Sequence, residues 1–165
     1  MFQLKPISTE SIPTALEKAV RYRLLNEPML AESICLDILD ADPDNSEALV
    51  NMLLAITEQF GTSSMGELSR AKELLPRLPD EYDRHYYAGL ICERQGKAKL
   101  AKRMPDGGEA AYEWLREAMD HYEKAEAISP PEKVDPILRW NTCARLIMNH
   151  HLKPRNEEYI ELPLE

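Results

Sequence analysis

Small and apolar residues recur at three- and four-residue steps along most of the chain, the period of a helix that buries one face. In AESICLDILDADP, Ala31, Cys35 and Ile38 share a face and Pro43 stops the helix. The same spacing returns at Ala118, Tyr122, Ala125 and Pro130, and a weaker copy, Ala71, Leu75 and Leu78, lies between them. Repetition of one helical unit predicts stacked helix pairs, each burying its stripe against its neighbours.

Taken in order, residues 1–11 are a polar lead-in. Ser11 caps the first predicted helix, with Pro13 in its first turn, where no amide hydrogen bond is lost. Its buried face is Ala15, Ala19 and Tyr22. Asn26-Glu27-Pro28 breaks it, because Pro28 disfavours helical geometry at the residue before it. The second helix runs from about Pro28 to Asp40. Ser46 opens the third, with Leu49, Met52, Leu53 and Ile56 on one stripe, and Gly61 ends it. Its partner spans Leu68 to Leu78, with Pro76 distorting or ending the last turn.

Asp80 starts the next pair, whose first stripe is His85, Ala88, Gly89 and Cys92. The basic stretch KAKLAKRMPDGG, about 97–108, separates it from Glu109 to Ile128. Lys97 to Leu100 extends the first helix, and Pro105-Asp106-Gly107-Gly108 makes the turn. Asp135 and Pro136 start a last helix with Trp140, Cys143, Ala144 and Ile147 on its stripe. Residues 152–165 form an acidic tail.

Together these residues resemble the tetratricopeptide repeat family, whose unit is a helix–turn–helix of 34 residues. Ala15 to Leu49 is a step of 34, Leu49 to His85 one of 36, and His85 to Trp140 one of 55 because of the basic insertion. Small residues (Ala19, Ala31, Gly89, Ala118, Ala144) would let helices approach, while Tyr22, Tyr122 and Trp140 fill the gaps. The resemblance implies an all-α, right-handed superhelical stack of antiparallel hairpins over 12–151, three repeats and a closing helix. The alternative is an unrelated helical bundle with Ala-rich interfaces.

In that family the first helices line a concave face that binds peptides. The resemblance therefore points to Leu16, Val20, Arg23 and Leu24, and to Val50, Leu54 and Thr57. Tyr86, Leu90, Glu93 and Arg94 follow, then Asn141, Arg145 and Met148. A subgroup grips chaperone carboxy-termini with Lys, Arg and Asn. Leu16 and Val20 stand where that clamp would begin, which argues against it. The expected groove is apolar with a charged end, suited to a partner peptide or helix. The bland alternative is that these residues pack on one another.

Composition narrows the function further. With 165 residues the chain is one domain in size, and 44% hydrophobic with 30% charged residues is an ordinary globular balance. Three cysteines at irregular spacing form no disulfide framework. A net charge of −9 disfavours nucleic acid and anionic membrane as partners. The N-terminus lacks the apolar core of a signal peptide, so a soluble, cytoplasmic protein is expected.

Catalytic signatures are lacking: no Walker loop, no Gly-x-Ser-x-Gly, no HExxH and no Cys-x-x-Cys. Cys35, Cys92 and Cys143 sit on core stripes as small hydrophobes. His85 is expected in the core, His121 exposed, and His150-His151 at a helix end. Four dispersed histidines make no zinc set. A non-catalytic binding module without cofactor or metal is the expectation; a self-assembling protein, its groove filled by a tail, is the alternative. Lys97, Lys99, Lys102 and Arg103 form a secondary basic arm that could meet an acidic segment such as Glu157, Glu158 and Glu161.

Overall fold

A computed structural model describes residues 1–62 and 66–156. The chain is all-α, with no strand among the described residues. Among the described residues seven helices follow in order: α1 (Ile12–Leu24), α2 (Pro28–Ala41), α3 (Ser46–Thr57), α4 (Glu67–Leu74), α5 (Glu81–Ala101), α6 (Gly107–Ala127) and α7 (Asp135–Asn149). None of them is long and apolar enough to cross a membrane. The expected docking of the tail concerns residues that lie outside those described, from 157 onward.

The helix ends follow local chemistry. After α1, Asn26 takes φ 60°, and the Asn26 and Glu27 amides donate to the Arg23 and Tyr22 carbonyls. This pair of bonds satisfies carbonyls that a simple helix end leaves open. His151, at φ 51°, closes α7 in the same way, with its amide and that of Leu152 donating to Met148 and Ile147. Asn45 accepts from the Ala48 amide at 3.0 Å to start α3. Asp80 does the same for Tyr82 at the start of α5. Pro76 ends α4, and a short 3-10 turn over Leu75–Arg77 follows.

Two expectations at the helix starts change. Ser11 stands before α1, yet its hydroxyl donates to the Ser8 carbonyl at 2.7 Å and caps nothing in α1. A 3-10 turn over Thr9–Ser11 runs straight into the helix and leaves Ser11 with helical backbone angles. At the other end Val134 precedes α7, and Asp135 is already within its first turn.

Each helix packs on the next, and α1 with α3 and α3 with α5 touch as well. The first core joins α1 to α5: Ala19, Cys35, Ile38, Leu49, Leu53, Ile56, Ala71, Leu78 and Ile91 are buried together. The second, smaller core gathers Cys92, Leu115, Ala118, Met119, Tyr122 and Cys143. Helices α5 and α6 are antiparallel, because Gly89 meets Tyr122 while Gly96 meets Leu115. At Gly89 the contact is so close that a Cβ would lie 2.7 Å from the Tyr122 ring. Ala19, Ala31 and Ala118 are fully buried, in keeping with small residues at helix contacts.

Candidate functional site

Side chains of α1, α3 and α5 interlock on one face, and α7 joins them through Arg139. Arg23 of α1 donates to Glu58 Oε1 through Nε at 3.0 Å and Nη2 at 2.7 Å. Its Nη1 reaches Asn51 Oδ1 of α3 at 3.1 Å. Arg94 of α5 approaches the same Glu58 oxygen at 3.5 Å and donates to Thr57 Oγ1 at 3.1 Å. Glu58 thus ties α1, α3 and α5 across a half-exposed surface. Charge-assisted bonds to a shared carboxylate hold such long side chains in one geometry.

Behind them lies a buried acid. Glu93 of α5 is wholly inaccessible and has three partners: Tyr122 Oη donates at 2.6 Å, Lys97 Nζ at 2.7 Å and Arg139 Nη1 of α7 at 3.4 Å. A buried carboxylate needs such compensation. Burial, the Glu93 charge and its hydrogen bond all push the Tyr122 hydroxyl far above the ordinary phenol value, so it stays a donor. Burial pulls Arg139 down, but Glu93 and a hydrogen bond with Tyr86 outweigh it and the net shift is upward. Burial lowers Arg94, with Glu58 acting against it.

Two cavities open on this face. One, of about 510 Å³, lies between α1 and α3 and is lined by Leu16, Val20, Glu47 and Asn51 among others. The other, of about 420 Å³, is walled by Thr57, Glu58, Phe60, Arg94, Lys97 and Arg139. Four cations, Arg23, Arg94, Lys97 and Arg139, meet two carboxylates, Glu58 and Glu93, at the centre of the face. On a chain of net charge −9 this is a local cationic excess. The expected apolar groove with a charged end is therefore apolar only near Leu16 and Val20, and charged through its middle.

Several residues expected to be open on the face are buried or packed against a core. Leu90 is buried at 1% exposure and Glu93 at 0%, because α5 is packed on several sides and its inward arc is wider than one stripe. Thr57 is buried as well, though it lines the second cavity. Val50 and Leu16 pack partly against the first core, and Leu54 is half-buried. Tyr86 packs on the second core, its ring stacked on Tyr82 with centroids 5.7 Å apart. Asn141 is half-buried, while Leu24, Arg145 and Met148 are exposed.

The basic arm is not a separate element. Lys97 and Lys99 belong to α5, which continues to Ala101, and Lys97 turns to Glu93. Lys102 and Arg103 follow in the turn, exposed. His85 is half-buried, 3.8 Å from Glu81. His121, expected exposed, is half-buried where α6 meets its neighbours, and its Nδ1 is fully covered. Cys92, Glu117 and His121 come together there. Burial pushes the Cys35 thiol up to about 11 and those of Cys92 and Cys143 to about 12.

No family model matches the sequence, and no curated protein or solved structure matches it either.

Proposed function

We propose that this chain is a tetratricopeptide-like stack of helix pairs that works as a non-catalytic protein-interaction module. Its binding surface is the face shared by α1, α3, α5 and α7. One observation carries the reading: the Arg23–Glu58–Arg94 chain of ion pairs links an apolar cavity at Leu16 and Val20 to a cationic cavity at Arg94, Lys97 and Arg139. Contacts between α1 and α3 and between α3 and α5 support the stacked arrangement. The partner that fits is an extended or helical segment with apolar residues at one end and carboxylates at the other. The buried, protonated thiols favour a role without nucleophilic chemistry.

Selection of displayed peptides against the full chain tests this, with counter-selection against Val20→Glu/Leu24→Glu and against Lys97→Gln. The expected result is enrichment of acidic–apolar peptides that lose at least about tenfold in affinity (about 1.4 kcal/mol) for either variant. Binding should also weaken as salt rises. Peptides that bind wild type and both variants equally would move the site off this face.

Self-association is the second reading, and an apolar edge favours it. Leu24, Leu25, Met29 and Leu36 are 82%, 63%, 72% and 50% exposed around the α1–α2 turn and on α2. Sedimentation across a concentration series separates the readings. A concentration-dependent dimer lost in Met29→Glu/Leu36→Glu would favour assembly.

A further inference from the structure

Away from that face, α4, α5 and α6 border a cavity of about 210 Å³ whose wall carries Cys92, Glu117 and His121. Glu117 and His121 are one turn apart on α6, so they share a face. Cys92 reaches the same point from α5. One sulfur, one carboxylate oxygen and one imidazole nitrogen all lie within 4.8 Å of one another. The Nδ1 of His121 is buried and finds no hydrogen-bond partner among the described residues, while its Nε2 stands 3.9 Å from Glu117 Oε1.

We propose that Cys92, Glu117 and His121 form a divalent metal site of the zinc class, which clamps α5 to α6 and leaves a fourth position facing the cavity. A sulfur, nitrogen and oxygen set suits zinc, whereas magnesium and calcium take oxygen ligands. Tetrahedral zinc, with bonds of roughly 2.0–2.3 Å, holds its ligand atoms roughly 3.3–3.8 Å apart. The observed spread closes by rotation of the exposed Glu117 side chain. The uncovered hydrogen-bonding capacity of the buried His121 Nδ1 leaves the imidazole open to a ligand role. In the metal-free chain the Cys92 thiol sulfur lies within 4.8 Å of a Glu117 carboxylate oxygen. On binding, its proton passes to solvent and the thiolate enters the coordination shell. Lys72, whose Nζ lies 5.2 Å from the Trp114 ring centroid, lines the same cavity and opposes the cation. The thiolate and carboxylate together outweigh that single charge.

The test uses the full chain, reduced and stripped with a chelator, titrated with zinc by calorimetry and with cobalt(II) by absorption. The expected result is one zinc per chain at micromolar affinity or tighter, and a thiolate-to-cobalt charge-transfer band. Cys92→Ser should abolish the band. Each of Cys92→Ser, Glu117→Gln and His121→Asn should weaken zinc binding by at least about tenfold, the least that losing even a supporting group costs a metal site. His150→Ala/His151→Ala, which removes the exposed surface pair, should change neither. Alkylation of wild-type Cys92 should slow when zinc is added while Cys35 and Cys143 react as before, a readout that needs no variant. Absence of zinc uptake, a cobalt spectrum without the thiolate band, or affinity lost in the His150/His151 variant would each overturn the assignment.

Discussion

Helices α1 to α4 are 8 to 14 residues long and enclose a core that is almost purely apolar, whereas α5 and α6 run 21 residues each and are centred on a buried carboxylate. In the first region Leu49, Leu53 and Ile56 interdigitate with Cys35 and Ile38, and burial of hydrocarbon is the main cohesive term. In the second, Gly89 lets two long helices come close and Tyr122 bonds to Glu93 across the gap, while Lys97 of the same helix and Arg139 of α7 complete the set around the carboxylate. An apolar core tolerates conservative exchange of its members. A buried ionic centre depends on each member, because losing one leaves another uncompensated.

This contrast can be broken most forcefully at Glu93. Glu93→Ala should lower unfolding free energy by about 3–5 kcal/mol, since it leaves the buried Tyr122 hydroxyl without its acceptor and opens a cavity between the helices. Chemical denaturation measures it. Leu53→Ala, in the apolar region, should cost about 2–5 kcal/mol through a cavity. The sharper distinction is in coupling. Glu93→Gln with Tyr122→Phe should show an interaction energy of about 0.5–3 kcal/mol in a double-mutant cycle, while Leu53→Ala and Glu93→Gln, drawn from different cores, should be closer to additive.

Gly89→Ala tests how closely α5 and α6 approach. The added methyl would meet an aromatic ring that has little room to yield, so an overpacking cost of about 1–3 kcal/mol is expected. The gain of up to about 1 kcal/mol from replacing glycine inside a helix offsets part of it. Asn45→Ala should cost about 1 kcal/mol by removing the α3 cap. The smallest effect is chemical. With thiols at about 11 to 12, about a thousandth or less is thiolate at pH 8. All three cysteines of the native, metal-free chain should react slowly with a thiol reagent, and rapidly once it is unfolded.

Much of the helical framework was legible because it rests on period and on turn chemistry. The stripes at Ala31-Cys35-Ile38 and Leu49-Met52-Leu53-Ile56 are buried as their spacing implies. Breaks at Asn26-Glu27-Pro28 and at Pro76 fall where the backbone requires them. The site was less legible. Glu93 reads as a surface residue from its type, and only contact with Tyr122, 29 positions away, explains its burial. Leu90 and Glu93 belong to a helix covered on more than one side, so a single-stripe reading leaves exposed two residues that are buried. The Cys92, Glu117 and His121 convergence joins residues from two helices, and no local spacing announces it. Ser11 has the right type for a cap, but an earlier 3-10 turn claims its hydroxyl.

Hydrogen exchange measured by mass spectrometry, on the full chain with and without a selected acidic–apolar peptide, tests the binding face most directly. Protection added to α1, α3, α5 and α7 around Val20, Arg94 and Arg139, with α2, α4 and α6 unchanged, is the expected result. Protection centred on α2 around Met29 and Leu36, or on α4 and α6, would contradict the assignment of this face as the working surface.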